Sequence, residues 1–117
     1  GPTAPDFGCG QPDELSGSVP PFSFAWWGQM QHDPAYRLRY QARWTELRGS
    51  VLSNSNVLAE IDALAGQIAS AYPREDERWG STEGYGSRYG DFAGEITALK
   101  GWLEIRLAFL DQFIAGF

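Results

Sequence analysis

The sequence is poor in the residues that most often build catalytic and metal centres. It contains one cysteine, Cys9, one histidine, His32, and one lysine, Lys100. Cys9 cannot form a disulfide within the chain, so it is either a free thiol or half of a bond whose partner lies in a longer protein. A lone histidine without neighbouring cysteines argues against a zinc site and against a serine–histidine–aspartate triad. The sequence therefore predicts no metal site and no cofactor.

Long apolar runs and net positive charge are also absent. No segment approaches the roughly 18 consecutive apolar residues that a membrane span requires, and no signal peptide is present. The net charge of −6 would repel a polyphosphate, so a nucleic acid is not an expected partner. Without a long apolar run, a membrane is not an expected partner either. Hydrophobic residues make up 43% of the chain, enough for one folded domain of 117 residues.

Proline and glycine divide the chain into two parts. Residues 1–21 contain five prolines and are interpreted as a tail, in which Gly1-Pro2 has the form of a cloning scar. With such a scar, a missing signal peptide says nothing about where the natural protein resides. Residues 22–117 are interpreted as a helical domain that opens with an aromatic segment.

Two helices are marked by their start and stop signals. Asp33 followed by Pro34 predicts a helix start, and Gly49 predicts its end in a left-handed conformation. Ser53 predicts the next start and Pro73 its end. The apolar stripes that predict the buried faces are Tyr36, Tyr40, Trp44 and Leu47 in the first helix, and Val57, Ile61, Leu64, Ile68 and Tyr72 in the second.

A third helix is predicted from Asp91 almost to Phe117, after a glycine-rich loop at residues 73–90. The fold class expected is all-α: an antiparallel bundle of three main helices with an aromatic N-terminal segment. A dimer stays open, because the last turn could expose Phe113 and Phe117.

A tryptophan is followed by an arginine four residues later in two of these helices. Trp44 with Arg48, and Trp102 with Arg106, lie on one helix face each. They are interpreted as scaffold, with the rings buried at helix crossings and the arginines stacked on them or paired with acids. The alternative is a polar groove that holds an anionic or hydroxyl-bearing ligand. The acids available for pairing include Asp62 and Asp111.

The aromatic residues outside the helical stripes are the candidates for ligand binding. Flat rings stack on the apolar face of a sugar, while neighbouring polar groups bind its hydroxyls. The alternative is that these rings close the ends of a small bundle. The candidates are Trp26, Trp27, Trp79, Tyr85, Tyr89 and Arg74.

The combined pattern resembles the C-terminal part of the CotH spore-coat kinase family. Asp6-Phe7-Gly8 alone has the form of the magnesium-binding tripeptide of protein kinases, but the glycine-rich loop and catalytic lysine of those enzymes are absent. The resemblance covers most of residues 27–111. It rests on Phe7-Gly8, Trp27, Asp33-Pro34-Ala35-Tyr36, Arg43-Trp44, Glu46-Leu47-Arg48, Leu52-Ser53, Ile61-Asp62, Arg78-Trp79, Tyr89, residues 99–106 and Leu110-Asp111.

The resemblance implies an atypical kinase-like protein in which an acidic metal-binding motif precedes the Phe-Gly step. A nucleotide-binding lobe does not fit in the five residues before Asp6, so the chain itself is expected not to be an enzyme. The expected function is a non-catalytic helical interaction or structural module of an extracellular or cell-surface protein, with another domain of that protein as its partner. The alternative is a carbohydrate-binding module whose partner is a polysaccharide. A third, weaker interpretation is a kinase-like enzyme in which Asp6 still contributes to a metal site.

Overall fold

The computed structural model describes residues 25–79 and 91–117, and that part of the chain is all-helical. This confirms the predicted fold class at its coarsest level. The boundary predicted between a tail and a domain at residues 21–22 lies outside the described residues. The helices are α1 (Ala25–Met30), α2 (Pro34–Arg48), α3 (Asn54–Ile68), α4 (Tyr72–Trp79) and α5 (Phe92–Ala115).

The three long helices begin where the sequence predicts. The side chain of Asp33 accepts a hydrogen bond from the backbone N–H of Ala35 at 2.9 Å, with Pro34 in the first turn. The side chains of Ser53 and Asp91 likewise accept from backbone N–H groups at the start of α3 and α5. Each cap satisfies one of the N–H groups that a helix start leaves unpaired.

The end of α2 differs from the prediction. Gly49 has φ −79° and ψ −3°, a right-handed conformation, so the expected left-handed cap is wrong. The helix ends instead through a turn in which Ser50 Oγ donates to the carbonyl oxygen of Glu46 at 2.8 Å. The N–H of Leu52 donates to the carbonyl oxygen of Leu47 at 2.8 Å. These donors satisfy terminal carbonyls without a positive φ.

Pro73 starts a helix and does not end one. α3 ends at Ile68, and the N–H of Ala71 donates to the carbonyl oxygen of Ile68 in the following turn. Pro73 is the second residue of α4, where its missing N–H costs nothing because the first turn has no partner for it. The predicted loop at 73–90 is therefore wrong for residues 73–79, and its remainder, 80–90, lies outside the described residues.

α5 is the helix on which the described part is organised. α2 and α3 each pack against α5, and the contacts of Gln41 with Ile114 and of Arg48 with Asp111 show that α2 runs antiparallel to α5. The finer prediction of an antiparallel three-helix bundle is not confirmed.

Among the described residues, full burial is confined to α5. Leu107 and Ile114 are the hydrophobic side chains with less than a tenth of their surface exposed among the described residues. Leu64 and Ile68, predicted on the buried face of α3, are 50% and 53% exposed. For Leu64 the reason is rotational: α3 faces α5 with the side of the helix that carries Ala65, about 100° away from Leu64.

None of the helices in residues 25–79 and 91–117 has both the length and the apolar composition of a membrane span.

Candidate functional site

The most densely bonded side-chain group joins α2 to α5. Trp44 Nε1 donates to Asp111 Oδ1 at 2.8 Å. Arg48 Nε donates to the same oxygen at 2.9 Å, and Arg48 Nη2 donates to Asp111 Oδ2 at 3.0 Å. The guanidinium and the carboxylate thus meet in the two-point geometry that only arginine provides. We call Trp44, Arg48 and Asp111 the Asp111 cluster.

The arginine of this cluster also reaches the beginning of α3. Arg48 Nη1 donates to the carbonyl oxygen of Leu52, and Arg48 Nη2 donates to Asn54 Oδ1 at 2.9 Å. The Arg48 side chain is only 19% exposed. Arg48, in the last turn of α2, therefore contacts three other elements. They are the turn that follows α2, the first residue of α3 and the C-terminal half of α5.

The electrostatics of the cluster keep its carboxylate ionised. Partial burial raises the pKa of Asp111, but the hydrogen bonds from Arg48 and Trp44, with the positive charge of Arg48, outweigh it. The net result is a pKa below the usual 3.8. Both carboxylate oxygens accept hydrogen bonds. An acid so held is suited to fixing two helices and not to exchanging protons near neutral pH.

Sequence reasoning missed a further contact of α2, which caps the C-terminal end of α5. Gln41 Nε2 donates to the carbonyl oxygens of Ile114 at 3.0 Å and of Ala115 at 3.3 Å. These are carbonyls that the last turn of a helix leaves without an intrahelical partner. A signal for this role was present, because Gln41 precedes Trp44 by three residues and Arg48 by seven on the same helix face.

Aromatic rings close the same end of α5. The ring centroids of Tyr40 and Phe117 are 5.3 Å apart, and those of Phe113 and Phe117 are also 5.3 Å apart. Both phenylalanines are half-buried. The sequence left open whether the last turn exposes Phe113 and Phe117; in the structure these rings pack on each other and on Tyr40 of α2, and both are partly buried.

The second tryptophan–arginine pair has different surroundings. Trp102 is half-buried on α5, and the guanidinium of Arg106 lies 5.3 Å from the ring centroid of Phe109. Asp62, one of the acids considered for these arginines, instead accepts from Lys100 Nζ at 2.8 Å. Arg48 thus joins two helices, and Arg106 lies against a ring of its own helix.

An open groove of about 630 Å³ lies between α3 and the N-terminal half of α5. Its walls are mostly small or apolar, and the Asp62–Lys100 ion pair crosses it. A Cβ atom added at Gly66 or Gly101 would meet nothing within 4 Å. The residues that line the groove include Leu58, Ala65, Ala69, Phe92, Ala93 and Ile96.

The structure describes only part of the predicted ligand-binding set. Trp79 is 48% exposed at the end of α4, and the guanidinium of Arg78 lies 5.1 Å from its ring centroid. Arg74 is exposed on the same helix, but five residues separate it from Trp79 and place it about 140° around the axis. The two do not share a face. Trp26 and Trp27 belong to α1, although their side chains lie outside the described part, and Tyr85 and Tyr89 lie outside it altogether.

Acidic and histidine side chains do not gather into a metal site in the described ranges. No group of three or more His, Cys, Asp or Glu residues there could hold a metal ion.

A comparison with known protein families identifies a family that matches the chain. The family model described as CotH kinase protein matches residues 7–110, most of the chain, and confirms the resemblance found in the sequence. No curated protein and no solved structure matches the chain. The expectation that the chain is not an enzyme is wrong by this finding, because the family that it matches is one of kinases.

Proposed function

Because the chain belongs to the CotH kinase protein family, we propose that it supplies the helical frame of a kinase-like protein that transfers phosphoryl groups. Phosphoryl transfer depends mainly on positioning and on electrostatic stabilisation, so a kinase needs a rigid frame that fixes its reacting groups. The Asp111 cluster is the observation that supports this role in the described part.

The support for this role is the number of structural elements that the Arg48–Asp111 ion pair connects. Arg48 and Asp111 join α2, the turn after it, the start of α3 and α5. Gln41 adds a second link between α2 and the end of α5. A frame fixed by directional hydrogen bonds resists sliding better than one held by apolar contact alone, because hydrogen bonds weaken steeply when their geometry changes.

The tripeptide Asp6-Phe7-Gly8 is the proposed link between this frame and the reaction. The family match begins at Phe7, and Asp6 is the carboxylate that precedes it. These residues lie outside the described part, so the proposal assigns Asp6 no geometry. A kinase of this kind would act in a spore coat or at a cell surface, in keeping with the spore-coat association of the family.

The test is nucleotide binding and phosphoryl transfer by the natural protein that carries this sequence. Calorimetry with Mg-ATP and label transfer from γ-labelled ATP are measured for the wild type, for Asp6→Asn and for Asp111→Ala. We expect binding and transfer in the wild type, loss of transfer in Asp6→Asn without loss of fold, and weaker transfer in Asp111→Ala. The control is Asp62→Ala, which removes an exposed ion pair and should leave transfer unchanged.

Two outcomes would contradict the proposal. A wild-type protein that neither binds Mg-ATP nor transfers label is not a kinase-like enzyme. Transfer that Asp111→Ala leaves intact, in a protein whose melting temperature has fallen, would separate the frame from the reaction.

Carbohydrate binding is a second candidate, supported by the exposure of Trp79. A ring that is half exposed and flanked by an arginine has the form of a sugar-stacking residue. Depletion from solution by insoluble cellulose, chitin and xylan, followed by tryptophan fluorescence, would test it. Trp79→Ala should abolish depletion, whereas Trp44→Ala should reduce only stability. No depletion of the wild type by any of the three would end this alternative.

A further inference from the structure

The face of α5 that points away from α2 and α3 carries a row of large side chains within about 60° of the helix circumference. Asp111, which α2 holds, lies about 180° from Trp102 around the axis. Lys100, which pairs with Asp62 of α3, lies about 160° from Trp102. We call this row the outer face of α5: Trp102, Arg106, Phe109 and Phe113.

The outer face is shielded from solvent although it is turned away from both packed helices. Trp102, Arg106 and Phe109 are partly buried, and the indole Nε1 of Trp102 is out of contact with solvent. Large apolar side chains that do not face α5 on the other two helices are open by comparison: Leu38 of α2 is 66% exposed and Leu64 of α3 is 50% exposed. Since α2 and α3 lie on the opposite side of α5, this shielding indicates that another part of the chain covers the outer face.

The chain that precedes α2 is attached at the end of α5 where the outer face finishes. Gln41 caps the C-terminal end of α5, so the N-terminal half of α2 lies there. In the turn between α1 and α2, Gln31 Nε2 is shielded from solvent, so this turn is packed against the domain. The distance along α5 from Phe113 to Trp102 is about 16 Å, which about five extended residues span. The chain before α1 is therefore long enough to follow the whole outer face.

The other segments joined to α5 are attached at its opposite end. The ring centroids of Tyr72 and Phe92 are 4.7 Å apart, so α4 begins beside the first residue of α5. The eight residues of α4 extend about 12 Å, whereas Phe109 lies about 25 Å along α5 from Phe92. Residues 80–90 lead from α4 to Asp91, at that same end. α4 is thus too short to cover Phe109, and the chain before α2 is the one attached on the Phe109 side.

Residues 7–24 have a composition that suits the outer face. The family model matches residues 7–110 as one continuous stretch, which includes this segment and α5 in the same family region. The segment contains two acids and no basic residue, and Arg106 is the only basic residue between Trp102 and Phe113. Its large apolar residues are Leu15, Val19, Phe22 and Phe24.

We propose that residues 7–24 bind along the outer face of α5, with Phe22 and Phe24 packed on Phe109 and Trp102. Aromatic side chains bury a large area in such contacts and gain further from ring-to-ring packing. This binding attaches the segment that follows Asp6 to the helix that α2 and α3 hold from the other side. The proposal does not depend on phosphoryl transfer, and the protection measured below can be found or absent without it.

The test is hydroxyl-radical footprinting of the complete chain, with mass spectrometry to report the oxidation rate of each aromatic side chain. In the wild type, we expect Trp102 and Phe109 to be oxidised more slowly than Trp79, which is 48% exposed. In Phe22→Ser/Phe24→Ser, the rates of Trp102 and Phe109 should rise at least about threefold, because the covering rings are lost.

Two controls separate loss of this contact from loss of the fold. Trp44 lies between α2 and α5, so its oxidation rate should change less than about 1.5-fold in the same variant. Leu38→Ser/Val51→Ser makes the same kind of change at two exposed apolar positions. It should leave the rate of Trp102 within about 1.5-fold of the wild type.

A double-mutant cycle tests the contact with milder changes, so the proposal stays testable if the double serine variant does not fold. Phe24→Ala and Phe109→Ala are measured singly and together by urea unfolding of the complete chain. Their effects on the unfolding equilibrium constant should be coupled by at least about threefold. Phe24→Ala combined with Leu64→Ala on α3 is the matched control and should be additive within about twofold.

Four outcomes would overturn the proposal. One is an unchanged rate of Trp102 and Phe109 in a folded Phe22→Ser/Phe24→Ser variant. Another is additivity of Phe24→Ala and Phe109→Ala within about twofold. A third is protection that Trp79→Ser removes and the double serine variant does not, which would assign the outer face to α4. The fourth is protection that disappears on about a hundredfold dilution, which would assign it to a second copy of the chain.

Discussion

The two halves of α5 are packed in opposite ways, although they belong to one continuous helix. The C-terminal half contains Leu107 and Ile114, the two buried hydrophobic side chains of the part that the structure describes, and the ionised Asp111 held by α2. The N-terminal half borders an open groove of about 630 Å³, in which Gly101 has no neighbouring atom within 4 Å of where its Cβ would lie.

The difference follows from what the facing helices contribute. α2 presents large side chains with hydrogen-bond donors, among them Tyr40, Gln41, Trp44 and Arg48, and these fill the space beside α5 and satisfy its polar groups. α3 presents Ala65 and Gly66, which are too small to fill that space. The amount of apolar sequence does not decide how well a helix packs; the size and direction of its side chains do.

The largest expected loss of stability comes from shortening a buried side chain in the C-terminal half of α5. Ile114→Ala should lower the free energy of unfolding by about 3 kcal/mol, because Ile114 is 3% exposed and its loss leaves a cavity. The matched control is Ile68→Ala, the same change at an exposed position of α3, where the isoleucine is 53% exposed and a loss of about 1 kcal/mol is expected. Urea unfolding monitored by circular dichroism measures both. Equal losses would show that the two regions do not differ in packing.

The next largest losses of stability are expected when either of the two carboxylates that pair α5 with a neighbouring helix is removed. Asp111→Ala should cost about 2 kcal/mol, because it leaves the partly buried Arg48 without its acid and Trp44 without its acceptor. Asp62→Ala removes a more exposed ion pair with Lys100 and should cost at most about 1 kcal/mol. Chemical unfolding at neutral pH compares them. A loss in Asp62→Ala as large as that in Asp111→Ala would contradict the assignment of the Asp111 cluster as the main link.

The Asp111 cluster also makes a smaller, pH-dependent contribution to the free energy of unfolding. The pKa of Asp111 in the folded protein is lowered below 3.8, whereas an unfolded chain has a value of about 3.9. The ionised Asp111 carboxylate therefore stabilises the folded protein fully above about pH 5. This stabilisation is lost as the pH falls through the folded pKa of Asp111. The stability difference between the wild type and Asp111→Ala should be constant from neutral pH to about pH 5 and should narrow below about pH 4. A difference that stays constant below pH 4 would mean that Arg48 does not hold the carboxylate in solution.

The helix starts could be predicted from the sequence because their signals are local. Asp33, Ser53 and Asp91 each cap a helix through a hydrogen bond to a backbone N–H two or three residues away, which residue type and spacing alone indicate. Helix ends were less predictable. Gly49 and Pro73 are compatible with several conformations, and the structure uses one that the sequence pattern does not distinguish.

The partners of the polar side chains could be predicted only in part. The spacing of Trp44 and Arg48 predicts that they share one helix face, and Asp111 is one of the acids available to pair with them. The cap made by Gln41 on the end of α5 required knowing how far the two helices overlap, which depends on tertiary packing. The exposure of Leu64 likewise depends on the rotation of α3 against α5, and periodicity alone does not specify that rotation.

The smallest expected effect is a gain in stability. It comes from replacing glycines beside the open groove with alanine. Gly66→Ala and Gly101→Ala should each raise the free energy of unfolding by about 0.8 kcal/mol, because alanine favours a helix interior over glycine and the added methyl group meets open space. Gly49→Ala is the control: Gly49 lies past the end of α2, and a Cβ atom added there would meet backbone oxygens at 3.5 and 3.6 Å, so little change is expected. Thermal unfolding measures all three. A loss of stability at Gly66 or Gly101 would mean that the groove is filled in solution, and the contrast between the two halves of α5 would then fail.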